Sequence, residues 1–135
     1  MTRAVRLVIL GVLVSASGCS DAAETPASPT SPSTGFTLST AISAGGAASR
    51  TFVTTSSGTI AATLTSATPP VILGLGVGIP TGRDAGCSLT QSVTAEPGSE
   101  ARVNVDAEPG TYCVKVFDLG HVANQVSFSA TVEHP

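Results

Sequence analysis

Tryptophan is absent from this sequence, and the aromatic residues amount to one tyrosine and four phenylalanines. A core has to be built from Val, Ile, Leu and Ala, and a platform for stacking sugars has almost no rings to draw on. Charge is scarce as well, with Asp, Glu, Lys and Arg making up 11% of the chain. Basic residues are outnumbered six to nine by acidic ones and form no cluster, which excludes the electrostatic footprint of a nucleic-acid binder. Histidine occurs twice, at His121 and His134, which leaves little for acid–base chemistry. No apolar run approaches the roughly 20 residues of a transmembrane helix.

What the N-terminus does have is a basic start, Arg3 and Arg6, followed by the apolar stretch Leu7 to Val14 and then small residues. This three-part order reads as a secretory signal over residues 1–18. The small residues end in Ser15-Ala16-Ser17-Gly18-Cys19. That run resembles the bacterial lipobox, with Ala16 standing where Leu is usual. The resemblance implies cleavage before Cys19 and acylation of its thiol. Cysteine arithmetic agrees. The chain has three cysteines, Cys19, Cys87 and Cys113, and an odd count in an exported protein leaves one thiol to explain. Lipidation of Cys19 accounts for it. The expected location is extracytoplasmic, lipid-anchored to a bacterial membrane, with the alternative of free secretion. Ser20 rather than Asp after the lipidated cysteine favours the outer membrane in a Gram-negative cell. Loss of Arg3 and Arg6 with the leader would take the formal net charge from −3 to −5.

Residues 19–35 are rich in Pro, Ser and Thr and show no apolar period. Such a segment cannot bury enough surface to offset its chain entropy, and its prolines make it extended. It reads as a tether. Residues 36–135 read as one domain. Eight strands are predicted, at 36–40, 49–54, 59–67, 71–79, 88–93, 101–106, 111–118 and 125–133, because Val, Thr, Ile and Phe alternate there with polar residues between Gly and Pro breaks. Ile60, Ala62 and Leu64 share one face of their strand, as do Val126, Phe128, Ala130 and Val132 of theirs. Strand 36–40 is expected to be a short edge, and 111–118, apolar on both faces, a central strand. The fold class is all-β, a single antiparallel β-sandwich. Ala95-Glu96-Pro97-Gly98 is echoed by Ala107-Glu108-Pro109-Gly110. Pro-Gly fits the centre of a type II turn, so the three strands around these turns are expected to form an antiparallel meander.

Gly74, Gly76 and Gly78 fall on one face of strand 71–79, opposite Leu73, Leu75 and Val77. Two readings stand: an outer face lying under another backbone, or a flat groove for a ligand. Cys87 and Cys113, exported into an oxidising space, are expected to form a disulfide; two thiols without a histidine pattern make a poor zinc site.

Nothing in the sequence assembles a catalytic set. His121 sits in a predicted turn, with no Gly-x-Ser-x-Gly elbow to support a triad. No close carboxylate pair suggests glycosidase chemistry. Asp84 and Asp118, each after a strand and before a Gly-containing turn, are weak calcium candidates. Ile79 to Asp84 has the form of an inhibitor loop or of an ordinary turn.

Pro109-Gly-Thr-Tyr112-Cys-Val-Lys-Val116, preceded by a Gly-rich strand and an acidic turn and followed by a last strand ending in Thr131-Val-Glu-His-Pro135, resembles the bacterial pre-peptidase C-terminal domain. The likeness covers residues 36–135. It implies a jelly-roll-like sandwich of about eight strands, associated with secretion, with binding of substrates or surfaces, and in some members with calcium. The acidic signature expected on the earlier strand is missing here. The functional expectation is a non-enzymatic, membrane-tethered module of the cell envelope that needs no cofactor and binds an envelope or extracellular protein or glycan. A calcium- or carbohydrate-binding module is the alternative, and a small hydrolase or protease inhibitor a third.

Overall fold

A computed structural model of the chain describes residues 33–82 and 86–135. Eight strands follow one another: β1 Thr34–Ser43, β2 Ala47–Thr54, β3 Gly58–Thr68, β4 Leu73–Thr81, β5 Gly86–Ala95, β6 Arg102–Ala107, β7 Gly110–Phe117 and β8 Gln125–His134. They form two four-stranded antiparallel sheets with orders β1-β8-β3-β6 and β2-β7-β4-β5. This is a jelly-roll sandwich.

The order has a simple construction. β1 pairs with β8, β2 with β7, β3 with β6 and β4 with β5. These are four nested antiparallel pairs, so the chain is one long hairpin with its tip between β4 and β5, rolled over on itself. Rolling sends every connection except β4 to β5 from one sheet to the other. The expected meander is therefore overturned. β6 leaves β5 and β7 behind in one sheet and pairs with β3 in the other. The type II turns fail with it. Gly110 opens β7 instead of closing a turn, and Gly98, at φ +148°, lies far from the value of about +80° that such a turn needs. The Pro-Gly segments carry the chain across the sandwich, which a tight hairpin turn would prevent.

Alternation places the core as expected. Ile60, Ala62 and Leu64 of β3, Phe128, Ala130 and Val132 of β8, and Leu73, Leu75 and Val77 of β4 are buried between the sheets, with Val114 and Val116 of β7. β7 is central, and β1 is an edge of ten residues, longer than predicted. It begins at Thr34, opposite His134, two residues before the boundary drawn at Phe36.

One end of the core holds most of the rings. Phe52 lies 5.4 Å from Phe36, 6.3 Å from Tyr112 and 5.0 Å from His134, centroid to centroid. His134, the last residue of β8, is thus buried against these rings. The Tyr112 hydroxyl accepts a hydrogen bond from the Glu108 N–H and donates one to the Glu108 carbonyl. Such a tyrosine corner fastens the start of a strand to the chain just before it. Thr54, also buried, donates to the same carbonyl at 2.9 Å.

Candidate functional site

Cys19, the leader, most of the tether and Asp84 lie outside the described residues. The remaining sequence-predicted positions fall on two surfaces, and the strand register assembles a third.

The first is the outer face of β4. Cys87 and Cys113 form a disulfide with Cα atoms 5.9 Å apart. Cys87 starts β5 and Cys113 lies in β7, the two strands that flank β4. Their bridge is possible because β7 pairs with β4 only as far as Gly78, opposite Cys113, and the start of β5 turns in beyond that point. The three glycines explain themselves here. A Cβ on Gly74 would strike the Phe117 ring, one on Gly76 would come within 2.7 Å of the Leu89 side chain, and one on Gly78 would strike the Ser88 carbonyl. The glycine stripe is a bed for these groups, so the flat-groove reading is overturned. The cover comes from the neighbouring strands of the same sheet: Phe117 from β7, Leu89 and the Ser88 backbone from β5. A bulge lets β5 do this. Its register slips between Val77 and Gly78, and Thr90, left over, donates its hydroxyl to the Val77 carbonyl.

Asp118 organises the second surface, the corner where β1 passes to β2 and β7 to β8. One carboxylate oxygen accepts backbone N–H groups from Gly120, His121 and Val122, and the other accepts the Gly45 N–H at 2.8 Å. The bond from Gly45, ahead of those from Val122, His121 and Gly120, and against a smaller opposing effect of burial, lowers the carboxyl from 3.8 to about 2. Both oxygens are thereby committed to main-chain donors. Asp118 acts as a pin between two connections 73 residues apart in sequence. His121 is exposed on the same loop, beside a carboxylate already engaged by backbone. Among the described residues no three His, Cys, Asp or Glu side chains come together as a metal-binding group.

The third surface, the outer face of the β1-β8-β3 sheet, was only half legible in the sequence. Alternation exposed its residues strand by strand, but their rows needed the register. Thr37, Thr131 and Thr63 stand in one row across three strands. Ser39 and Ser129 stand in the next, with their hydroxyl oxygens 2.7 Å apart. β3 slips register between Leu64 and Ser66. A shallow depression of about 440 Å³ opens there, lined by Ser39, Ser66, Thr68, Ser127 and Ser129 together with Thr40, Ala41 and Phe128, and by no charged side chain. Hydroxyls can both donate and accept, so this surface suits a neutral, hydrogen-bonding ligand better than an ion.

No protein-family model matches the chain, and no curated protein matches it.

Proposed function

We propose that this protein is a non-enzymatic, lipid-anchored, extracytoplasmic β-sandwich that serves as a binding or structural module of the cell envelope. The observation that carries the non-enzymatic part is the engagement of the groups a hydrolase would need. Asp118, the acid beside His121, accepts four backbone N–H groups, and His134 is packed against Phe52 and Phe36. The anchored part is supported by the order of the chain: a leader with a lipobox-like end at Cys19, a Pro-rich tether, then a disulfide-bridged sandwich. The likeness of Pro109 to Val116 to the pre-peptidase C-terminal domain supports the same reading, since the jelly roll is the fold that likeness implies.

Intact mass of the protein from its native membrane fraction tests the anchor. The expected result is the chain from Cys19 plus acyl groups, less two hydrogens for the bridge. An unlipidated chain in the soluble fraction would sink the anchor and leave a freely secreted module.

The depression lined by Ser39, Ser66, Thr68, Ser127 and Ser129 favours one second reading, a module for an uncharged glycan. It lacks an aromatic platform, so affinity would rest on hydroxyl hydrogen bonds alone and be weak. Chemical-shift changes confined to those residues on titration with neutral envelope oligosaccharides would support it. A panel that moves none of them would remove it.

A further inference from the structure

The edge of a sheet exposes unpaired N–H and C=O groups, and folded proteins guard such edges with charge, proline, bulges or cover. The edge strands here are β1 and β6 in one sheet and β2 and β5 in the other. Two of them carry charge, and β1, which has none of its own, is covered by a charge from β2. Arg50, on β2, reaches to β1, where it donates to the Thr37 carbonyl and sets its guanidinium 4.4 Å from the Phe36 ring centroid. β6 is short and bears Arg102 and Asp106. β5 runs for ten residues with neither a charged residue nor a proline. Its one guard is the bulge at Thr90, and that protects only the first half, which is turned onto Gly78 and the disulfide. From Gln91 to Ala95 the strand pairs with β4 in unbroken register, Gln91 opposite Val77 and Ala95 opposite Leu73. Gln91, Ser92 and Thr94 are exposed there, and Val93 is half-buried.

We propose that the outer edge of β5 over Gln91–Ala95 is a strand-addition surface for a second copy of this chain. Antiparallel pairing of a strand with itself about a two-fold axis sets each residue against its symmetry mate's counterpart, so a strand bearing charge of one sign repels itself. This one has no charge to repel. With the axis at Val93, that residue meets the partner's Val93, and Ser92 meets the partner's Thr94. Val–Val and hydroxyl pairs are favourable across an antiparallel ladder. The contact closes on itself and joins two four-stranded sheets into one of eight strands. Acidic bodies approach each other best through an uncharged surface, which is a second reason for this edge over β6. The contact is small beside the roughly 1,200 Å² of a stable interface, so the association is weak in solution. It does not depend on the lipid anchor, though a shared membrane would raise the local concentration.

Sedimentation velocity on the exported Cys19→Ser chain, from about 10 µM to about 1 mM, separates this proposal from the anchor reading. The expected result is a monomer–dimer equilibrium within that range. In S92K/T94K each lysine faces a lysine of the partner, and the dimer should weaken by about tenfold or more. S92E/T94E should behave likewise, and an equal mixture of the two variants should recover dimer. Both side chains are exposed, so melting temperatures are expected to match the parent's and serve as the control for folding. A chain that stays monomeric throughout would overturn the proposal. So would a dimer indifferent to both charge variants, or a mixture that fails to recover.

Discussion

Asp118 shows how much one carboxylate can hold. Its four backbone acceptances tie the β1–β2 turn to the β7–β8 loop, and Gly45, at φ +70°, supplies the one donor from the β1–β2 side in a conformation that other residues rarely adopt. Because its folded pKa of about 2 lies below the unfolded value of 3.8, the carboxylate adds stability above about pH 4 and loses it as pH falls toward 2. We expect Asp118→Asn to lower the melting temperature at neutral pH, since the amide nitrogen cannot accept from Gly45. The gap to the parent protein should narrow as pH falls from about 4 to about 2. A gap that does not change with pH would mean the carboxylate's charge is irrelevant. At Gly74 the constraint is steric. Gly74→Ala should cost about 1–3 kcal/mol in chemical denaturation, and less in a Phe117→Ala background, because the ring is what the new methyl strikes. Equal costs in both backgrounds would show that the glycine serves another purpose.

At the scale of the element, each strand is defined by alternation and each connection by what it must cross. β7 is the best example. Val114 and Val116 face the core, Phe117 covers β4 from outside, Cys113 carries the bridge to β5, and Tyr112 locks the strand's start to Glu108. Tyr112→Phe removes the hydroxyl and leaves the ring on Phe52. It should cost about 1 kcal/mol, read as a shift of the denaturation midpoint with unchanged slope. A change in slope would instead point to an altered denatured state. The two Pro-Gly segments taught the opposite lesson. Their composition suggests a local turn, but the strands they join belong to different sheets, so the meander predicted from them did not form.

For the whole molecule, nesting makes nearly every pairing long-range, with β1 against β8 the most distant. Such topologies fold slowly, because loop-closure entropy is lost before the contacts form. A covalent link that shortens the free chain matters in this setting. The Cys87–Cys113 bridge closes a loop with a sequence separation of 26, worth roughly 3–4 kcal/mol through the unfolded state. We expect the double variant C87S/C113S to lose stability of that order by denaturant titration. A loss well under 1 kcal/mol would show that packing of Phe117 and Leu89 over β4 holds β5 and β7 without the bond.

The sequence by itself determined the class of the fold, the eight strands, the residues facing the core and the cysteine pair, because period-two alternation and export chemistry are local or compositional signals. The proposed lipidation of Cys19 and the proposed tether rest on the order of residues along the chain alone. Tertiary structure decided which strands are neighbours, that β6 leaves β5 and β7, that the glycine stripe is filled by Phe117 and Leu89, and that Asp118 is a pin. Those outcomes depend on pairings between segments far apart in the chain. Alternation reads the same for a meander as for a rolled hairpin, and a strand's pattern records which face is buried but not what buries it.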